Sequence, residues 1–210
     1  MKQTETRGKF IALEGIDGSG KSTQARLLAD RLLADGLAVH ATFEPTRGDI
    51  GALLRRHLTG ELRADERVVA ALFAADRLDH LLNEADGLAG KIEGGVNVIS
   101  DRYYFSSYAY HSLSVPMDWV IAANALSAGL VRPDVNIFID TDPEACMQRI
   151  AAGRQDTEKY EQLDVLRRVR EKYYEAFDRL AGEETVAIVD GDRPEAAVAQ
   201  DILGIARRVL

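Results

Sequence analysis

A glycine-rich run near the beginning of the chain holds the residue types that could most directly carry out chemistry. The run is Gly15-Ile16-Asp17-Gly18-Ser19-Gly20-Lys21-Ser22-Thr23. Its glycines allow the backbone to curl until successive N–H groups point at one anion. The lysine at its end can reach the outer phosphates of a nucleoside triphosphate, and the next hydroxyl can ligate magnesium. The pattern therefore predicts a phosphate-binding loop for ATP and Mg²⁺ rather than a chance glycine turn.

A second candidate follows a later apolar run. Asp101-Arg102-Tyr103 comes directly after Val96-Asn97-Val98-Ile99-Ser100, which is typical of a buried strand. Ligands of parallel sheets bind beyond the carboxyl ends of the strands. There Asp101 could hold magnesium or its waters, and Arg102 could bind a phosphate with its planar fork. A surface ion pair above packed aromatic rings is the alternative, and the position after the strand favours the functional interpretation.

Two further patterns are ambiguous from spacing alone. Phe73 and Arg77 lie four residues apart, so they share a helix face and could stack on and hydrogen-bond a base. Spacing alone favours a core phenylalanine beside an arginine that reaches solvent. Arg149 and Arg154 flank a helix break at Gly153, which is typical either of a flap over phosphates or of a solvated loop.

The remaining reactive residue types show no site. The four histidines lack zinc-ligand spacing, and Cys146 is interpreted as a small buried hydrophobe. The histidines are His40, His57, His80 and His111.

Five short apolar segments must position these residues. We predict strands at 10–13, 37–43, 96–101, 135–140 and 185–190, with helices between them at 24–33, 50–58, 61–88, 118–128, 143–151 and 158–180, and a last helix from 194. Strands that alternate with helices indicate an α/β fold of three layers, a five-stranded parallel sheet covered on both faces. The 210 residues are predicted to form a single domain, residues 1–210, with a lid segment.

Composition excludes several classes of partner. The chain carries 34 acidic and 26 basic residues, a formal net charge of −8, which argues against nucleic-acid binding. We find no apolar run of membrane-spanning length, and the polar start is unlike a signal peptide. The single cysteine fits a reducing compartment, so we expect a cytoplasmic protein.

Taken together and in this order, the motifs resemble those of thymidylate kinases over essentially the whole chain. Glu44-Pro45 and Arg132-Pro133-Asp134 add to the resemblance. It implies a P-loop NTPase fold, transfer of a phosphoryl group from ATP to thymidine monophosphate (dTMP) in dTTP biosynthesis, and a homodimer. The apolar residues of the helices between positions 50 and 88 could form a dimer interface, or equally belong to the core.

The resemblance also implies acceptor-site residues. They are Asp17, Arg47, Phe73, Arg77, Arg102, Tyr103, Ser106 and Tyr110. Phe73 would stack on thymine, and Arg77 would donate a hydrogen bond to the carbonyl edge of the base. This reverses the interpretation from spacing, which favoured a core phenylalanine and a solvent-reaching arginine. Asp17 would bind the sugar 3′-hydroxyl, and Tyr103 would press on the sugar and exclude a 2′-hydroxyl. Arg47 and Arg102 would hold the acceptor phosphate, and Ser106 and Tyr110 would line the nucleoside pocket.

On the donor side, the resemblance implies that Gly15–Thr23 and Arg149 bind ATP and that Ser22 and Asp101 serve the metal. Lys21, Asp101, Arg102 and Arg154 would be catalytic. Some relatives carry an arginine directly after the acidic loop residue, where this chain has Gly18. The transition-state arginine would then be Arg154, in a lid at about 150–158.

Two other functions remain open at this stage. One is a kinase of the same fold that acts on a different nucleotide or nucleoside. The other is a P-loop protein that binds ATP for regulation, which Arg102 and Phe73 disfavour because such a protein needs no second nucleotide pocket.

Overall fold

The computed structural model describes residues 7–153 and 160–210, and its centre is a parallel sheet of five strands. The strands are β1 (Phe10–Glu14), β2 (Val39–Phe43), β3 (Asn97–Asp101), β4 (Val135–Asp140) and β5 (Val186–Asp190). Their order across the sheet is β2-β3-β1-β4-β5, and each neighbouring pair is parallel. This confirms the predicted fold class.

The central strand explains why its sequence is a continuous apolar run. All five residues of β1 are buried, because β3 and β4 flank it and helices cover both faces of the sheet. One core cluster contains Phe10, Phe105, Phe138 and Tyr173, and the other contains Ile11, Leu28 and Ile202. Alternate residues of β1 thus enter opposite cores, as the two-residue period of a strand requires.

Helices connect and cover the strands. They are α1 (Lys21–Ala34), α2 (Asp49–Leu58), α3 (Glu66–Leu82), α4 (Leu88–Glu93), α5 (Tyr104–His111), α6 (Met117–Leu130), α7 (Pro143–Gly153), α8 (Leu163–Arg179) and α9 (Glu195–Ala206).

Two stretches differ from the sequence prediction. The helix predicted over 61–88 is shorter in the structure: α3 spans Glu66–Leu82 and ends where Asn83 leaves the helical conformation, and α4 begins only at Leu88. The aromatic run after Tyr103 forms α5, whose eight residues are all buried. A helix buried on every side has no polar face, so its sequence carries no amphipathic period.

The polar residues of the site lie beyond the carboxyl ends of three adjacent strands. Leu13 of β1 is in register with Asp101 of β3, and Glu14 is in register with Phe138 of β4. The glycine loop after β1 and the Asp101-Arg102 pair at the end of β3 therefore meet at one edge of the sheet, the usual ligand edge of a parallel sheet.

Candidate active site

The glycine loop adopts backbone conformations that side chains disfavour. Gly15, Gly18 and Gly20 have φ of 152°, 82° and 94°. A Cβ on Gly18 would stand 2.5 Å from the Cys146 carbonyl oxygen. A side chain of any kind at position 18 thus requires a shift of α7, which gives a physical reason for glycine here. Lys21 opens α1 directly after Gly20, so the first free N–H groups of the helix face the loop.

A broad cleft opens over this loop. Its volume is about 990 Å³, and its lining includes Gly18–Gln24, Asp101, Arg149, Gly191 and Arg193. Lys21 Nζ donates to the Ile16 carbonyl oxygen at 2.8 Å inside the loop. Burial and the nearby Arg102 lower the pKa of Lys21 to about 8, although Asp17 and Asp101 oppose that shift. A triphosphate in the cleft would supply the negative charge that this ammonium lacks.

Ser22 and Asp101 meet at the floor of the cleft. The Ser22 hydroxyl donates to Asp101 Oδ2. The other carboxylate oxygen, Oδ1, is buried and has no hydrogen-bond partner in the described part of the chain. Mg²⁺ in nucleotide sites is held by a hydroxyl, one or two carboxylates and phosphate oxygens. These two side chains fit that role, and no group of three or more potential metal-ligating residues occurs within 7–153 and 160–210.

Arg102 occupies a strained backbone position and is held by several acceptors. Its φ of 75° is the one positive value of a non-glycine residue within the described ranges. The guanidinium donates to Gly15 O at 3.2 Å and to Ser106 Oγ at 2.9 Å, and it pairs with Asp17. The Tyr110 hydroxyl donates to Asp17 Oδ2 at 2.9 Å. Burial would raise the pKa of Asp17, but Arg102 and Lys21 hold it below its usual value.

Glu14, a buried carboxyl that the sequence analysis missed, holds the Ser106 hydroxyl that accepts from Arg102. It accepts from Tyr103 N at 2.9 Å, Ser106 Oγ at 2.6 Å and Tyr173 OH at 3.0 Å. Burial raises the pKa of Glu14, while Ser106 and Arg102 act in the opposite direction. The single glutamate in an apolar strand was the available signal, since a buried carboxyl needs such partners.

A second, smaller pocket of about 110 Å³ lies beside the cleft. Its lining includes Asp17, Glu44, Phe73, Arg77, Arg102, Tyr103, Ser106, Ser107, Tyr110 and His111. The Phe73 ring stands 4.7 Å from the His111 ring at 48°. Arg77 is 1% exposed, and its charge is met by Glu44 Oε2 at 2.7 Å. Seven of the eight residues expected at the acceptor therefore line one pocket, together with Glu44, Ser107 and His111, which were not expected there.

Arg47, the eighth residue, and Arg149 lie outside the small pocket. Arg47 is exposed, with its guanidinium 5.2 Å from the centre of the Phe43 ring and outside both pockets. Arg149 lines the large cleft and donates to Gly191 O at 3.0 Å. Arg154 lies outside the described residues, as does most of the expected lid.

Tyr103, which was expected to press on the sugar, places its hydroxyl in the core of the protein. The residue is fully buried, and its hydroxyl donates to Val131 O at 3.0 Å, in the core. Tyr110, in contrast, presents its hydroxyl to Asp17, the residue that the resemblance gives to the sugar. Of the two tyrosines, Tyr110 is therefore the one whose hydroxyl lies beside Asp17 in the small pocket.

Comparison with known proteins gives the family. Residues 13–202 match the family model for thymidylate kinase. The chain belongs to the thymidylate kinase family. A probable thymidylate kinase of Pyrobaculum calidifontis is 39% identical over 202 residues, which cover 96% of this chain and 97% of the relative. Those of Staphylothermus marinus and Methanothermobacter thermautotrophicus are 36% identical over 201 residues (95% and 94%) and 40% over 176 residues (81% and 81%).

Family membership and near full-length relatives establish the activity as that of a dTMP kinase, a transferase of nucleotide biosynthesis, and the family implies ATP use. The resemblance noted in the sequence is thereby confirmed. In the described part of the chain, no helix has the length and apolar character needed to cross a membrane.

Proposed function

We propose that the protein transfers the γ-phosphoryl group of Mg·ATP from the large cleft to dTMP in the small pocket, as a step toward dTTP in the cytoplasm. One observation carries this proposal. Asp17 and Arg102 line both cavities, so the two cavities join at these side chains, and the donor and acceptor phosphates would meet at the Arg102 guanidinium. Phosphoryl transfer needs this juxtaposition more than any covalent step by the enzyme.

On the donor side, Gly15–Thr23 and Arg149 would bind ATP. The loop N–H groups would hold the phosphates, and Lys21 would exchange its bond to Ile16 O for contacts with the outer phosphates. Ser22 and Asp101 would hold the magnesium ion, which supplies positive charge to phosphate oxygens. The orphaned Asp101 Oδ1 supports this assignment, because a buried carboxylate oxygen requires a cation or a donor.

On the acceptor side, Phe73 would stack on thymine and Arg77 would bond a carbonyl of its edge. Asp17 would accept a hydrogen bond from the sugar hydroxyl. Arg102 would hold the acceptor phosphate, and Ser106 would keep the Arg102 guanidinium in place. We assign the contact that rejects a 2′-hydroxyl to Tyr110, since Tyr103 supports the pocket from the core. A role for Arg47 would require it to leave Phe43.

The remaining assignments rest on the resemblance. We propose one domain over 1–210 with a lid at about 150–158, and we propose Arg154 as the arginine that stabilises the transferring group. We also propose a homodimer. Exposed apolar side chains on α3 and α6 favour an interface there, namely Val68, Leu82, Trp119, Leu126 and Leu130. Sedimentation of the purified chain measures the oligomeric state.

The test of the proposed function is ADP production from Mg·ATP with each nucleoside monophosphate in turn. We expect dTMP to give the highest kcat/KM, with no turnover when magnesium is chelated. Higher kcat/KM for another monophosphate would refute the acceptor assignment. ATP binding without transfer to any monophosphate would indicate a regulatory protein.

A further inference from the structure

Arg77, which under the proposed function reads the base, is held in place by side chains from three other segments. Its Nε donates to Glu44 Oε2 at 2.9 Å, and its Nη2 lies 2.7 Å from the same oxygen. Its Nη1 donates to Ser107 Oγ at 3.2 Å and to Asn124 Oδ1. Among the described residues, these contacts use every N–H of the guanidinium except the second one on Nη2. One donor is thus left for a ligand.

Asn124 is the most distant of these partners in the sequence and has no other evident function. It lies on α6 and is 0% exposed. Its Nδ2 donates to the Val120 carbonyl oxygen at 2.8 Å, one helical turn earlier. With the amide nitrogen so engaged, Oδ1 must face Arg77, and a guanidinium can only donate to it. The orientation of the amide is therefore fixed by bonds at both ends.

The charge of the cluster explains why an amide suits this position. Glu44 already balances the charge of Arg77: burial would lower the pKa of Arg77, but Glu44 raises it above its usual value. A neutral acceptor on the other edge directs the guanidinium without adding a second carboxylate. Glu44 is itself nearly buried, and its second oxygen, Oε1, faces His80 Nδ1 at 3.1 Å.

We infer that Asn124 is a positioning residue for base recognition: it fixes the rotation of the Arg77 guanidinium so that the remaining Nη2 donor meets a carbonyl of the acceptor base. This rests on the proposed function, in which the small pocket binds dTMP through Arg77. Asn124 itself lines neither cavity, so its effect on the base must pass through the arginine.

The test compares dTMP with its 4-thio analogue, in which sulfur, a weak acceptor, replaces the 4-carbonyl oxygen while the N3–H donor is kept. For the parent enzyme we expect a KM for dTMP lower than that for the analogue by about tenfold or more, the ordinary effect of one hydrogen bond to a charged group. Asn124→Leu keeps the volume and removes the acceptor, so this ratio should fall to within about twofold of unity. The kcat with dTMP and the KM for ATP should change little.

Two variants separate positioning from a structural effect. Asn124→Asp keeps an oxygen acceptor and should retain most of the discrimination. Asn136→Leu is the matched control, because Asn136 is also 0% exposed but lies on β4, where its amide bonds Glu184 at 3.2 Å. This variant should leave the ratio at the parent value. Should Asn124→Leu fail to fold by circular dichroism, Asn124→Ala gives the same comparison with less crowding.

The outcomes separate this inference from the proposed function. Asn124 variants that keep the parent ratio would overturn the inference, as would a fall of the same size in Asn136→Leu. A parent enzyme that phosphorylates dTMP and the analogue with equal KM would also overturn it, while leaving the dTMP kinase activity intact. A parent enzyme that transfers nothing to dTMP would refute the proposed function itself.

Discussion

Raising the pH through about 8 should remove the proton from Lys21 in the ligand-free enzyme. The ammonium is buried in the glycine loop and has a pKa of about 8, because burial and Arg102 disfavour its charge. Cys146 nearby has its pKa raised by burial to about 12, and the pKa values of Tyr110 and Tyr173 are raised well above their usual value. A titration near pH 8 is therefore expected from the lysine rather than from the thiol or these phenols, and the Lys21→Arg control below tests the assignment.

The magnitude follows from the protonated fraction. With a pKa of about 8, Lys21 is charged in about nine-tenths of molecules at pH 7 and about one-tenth at pH 9. If ATP binds productively only to the charged form, kcat/KM for ATP should fall about tenfold between these two values. Bound phosphates favour the ammonium and raise its pKa, so kcat at saturating ATP should stay nearly level over the same range.

Initial rates at saturating dTMP, with ATP varied at each pH from 6.5 to 9.5, measure both quantities. Lys21→Arg is the control, since a guanidinium keeps its charge throughout and the fall in kcat/KM should vanish, whatever the absolute rate. A flat kcat/KM up to pH 9.5 in the parent would refute the reasoning. The same fall in Lys21→Arg would assign it to another group.

Three further variants test other parts of the site. Gly18→Ala should lower the free energy of unfolding by about 1–3 kcal/mol more than Gly20→Ala, because both adopt positive φ but only the first meets Cys146 O; equal losses in urea denaturation would contradict this. Phe73→Ala should weaken dTMP binding by about 1–3 kcal/mol and leave ATP affinity unchanged. Calorimetric titrations that show equal losses of affinity for dTMP and ATP would indicate general destabilisation. Arg154→Ala should lower kcat by about 10³-fold and leave acceptor binding nearly intact, and Arg154→Lys should restore little of this loss. Steady-state kinetics that show the loss in Arg149→Ala instead would mean that the lid arginine is misassigned.

The fold and the phosphate loop could be predicted from the sequence because their signals are local. The loop, the strand before it and the helix after it lie within 10–34, and each strand is a short apolar run bounded by turn residues. The limits of α3 were less accurate, since helical spacing continues through the turn that ends it, and α8 begins at Leu163 rather than at 158. The identity of α5 as a helix was hidden because burial on all sides removes the polar face.

The residues that hold the site side chains in place could not be predicted, because their contacts join positions that are distant in the sequence. Glu14 meets Tyr173 159 residues away, and Arg77 meets Asn124 47 residues away. Each partner alone resembles an ordinary polar residue in a strand or helix, and only tertiary contact gives it a role. Tyr103 illustrates the same limit, because the motif does not indicate that the Tyr103 hydroxyl bonds Val131 O in the core while the Tyr110 hydroxyl bonds Asp17.

The backbone torsions of this protein mark the reaction centre even if every side chain is disregarded. Within the described ranges, eight residues have positive φ, and four of them, Gly15, Gly18, Gly20 and Arg102, surround the place where two phosphates would meet. Glycine would relieve the backbone strain at position 102, but it would leave Asp17 without its ion-pair partner. The chain thus keeps a strained backbone at the point where the side chain of an arginine can face both cavities.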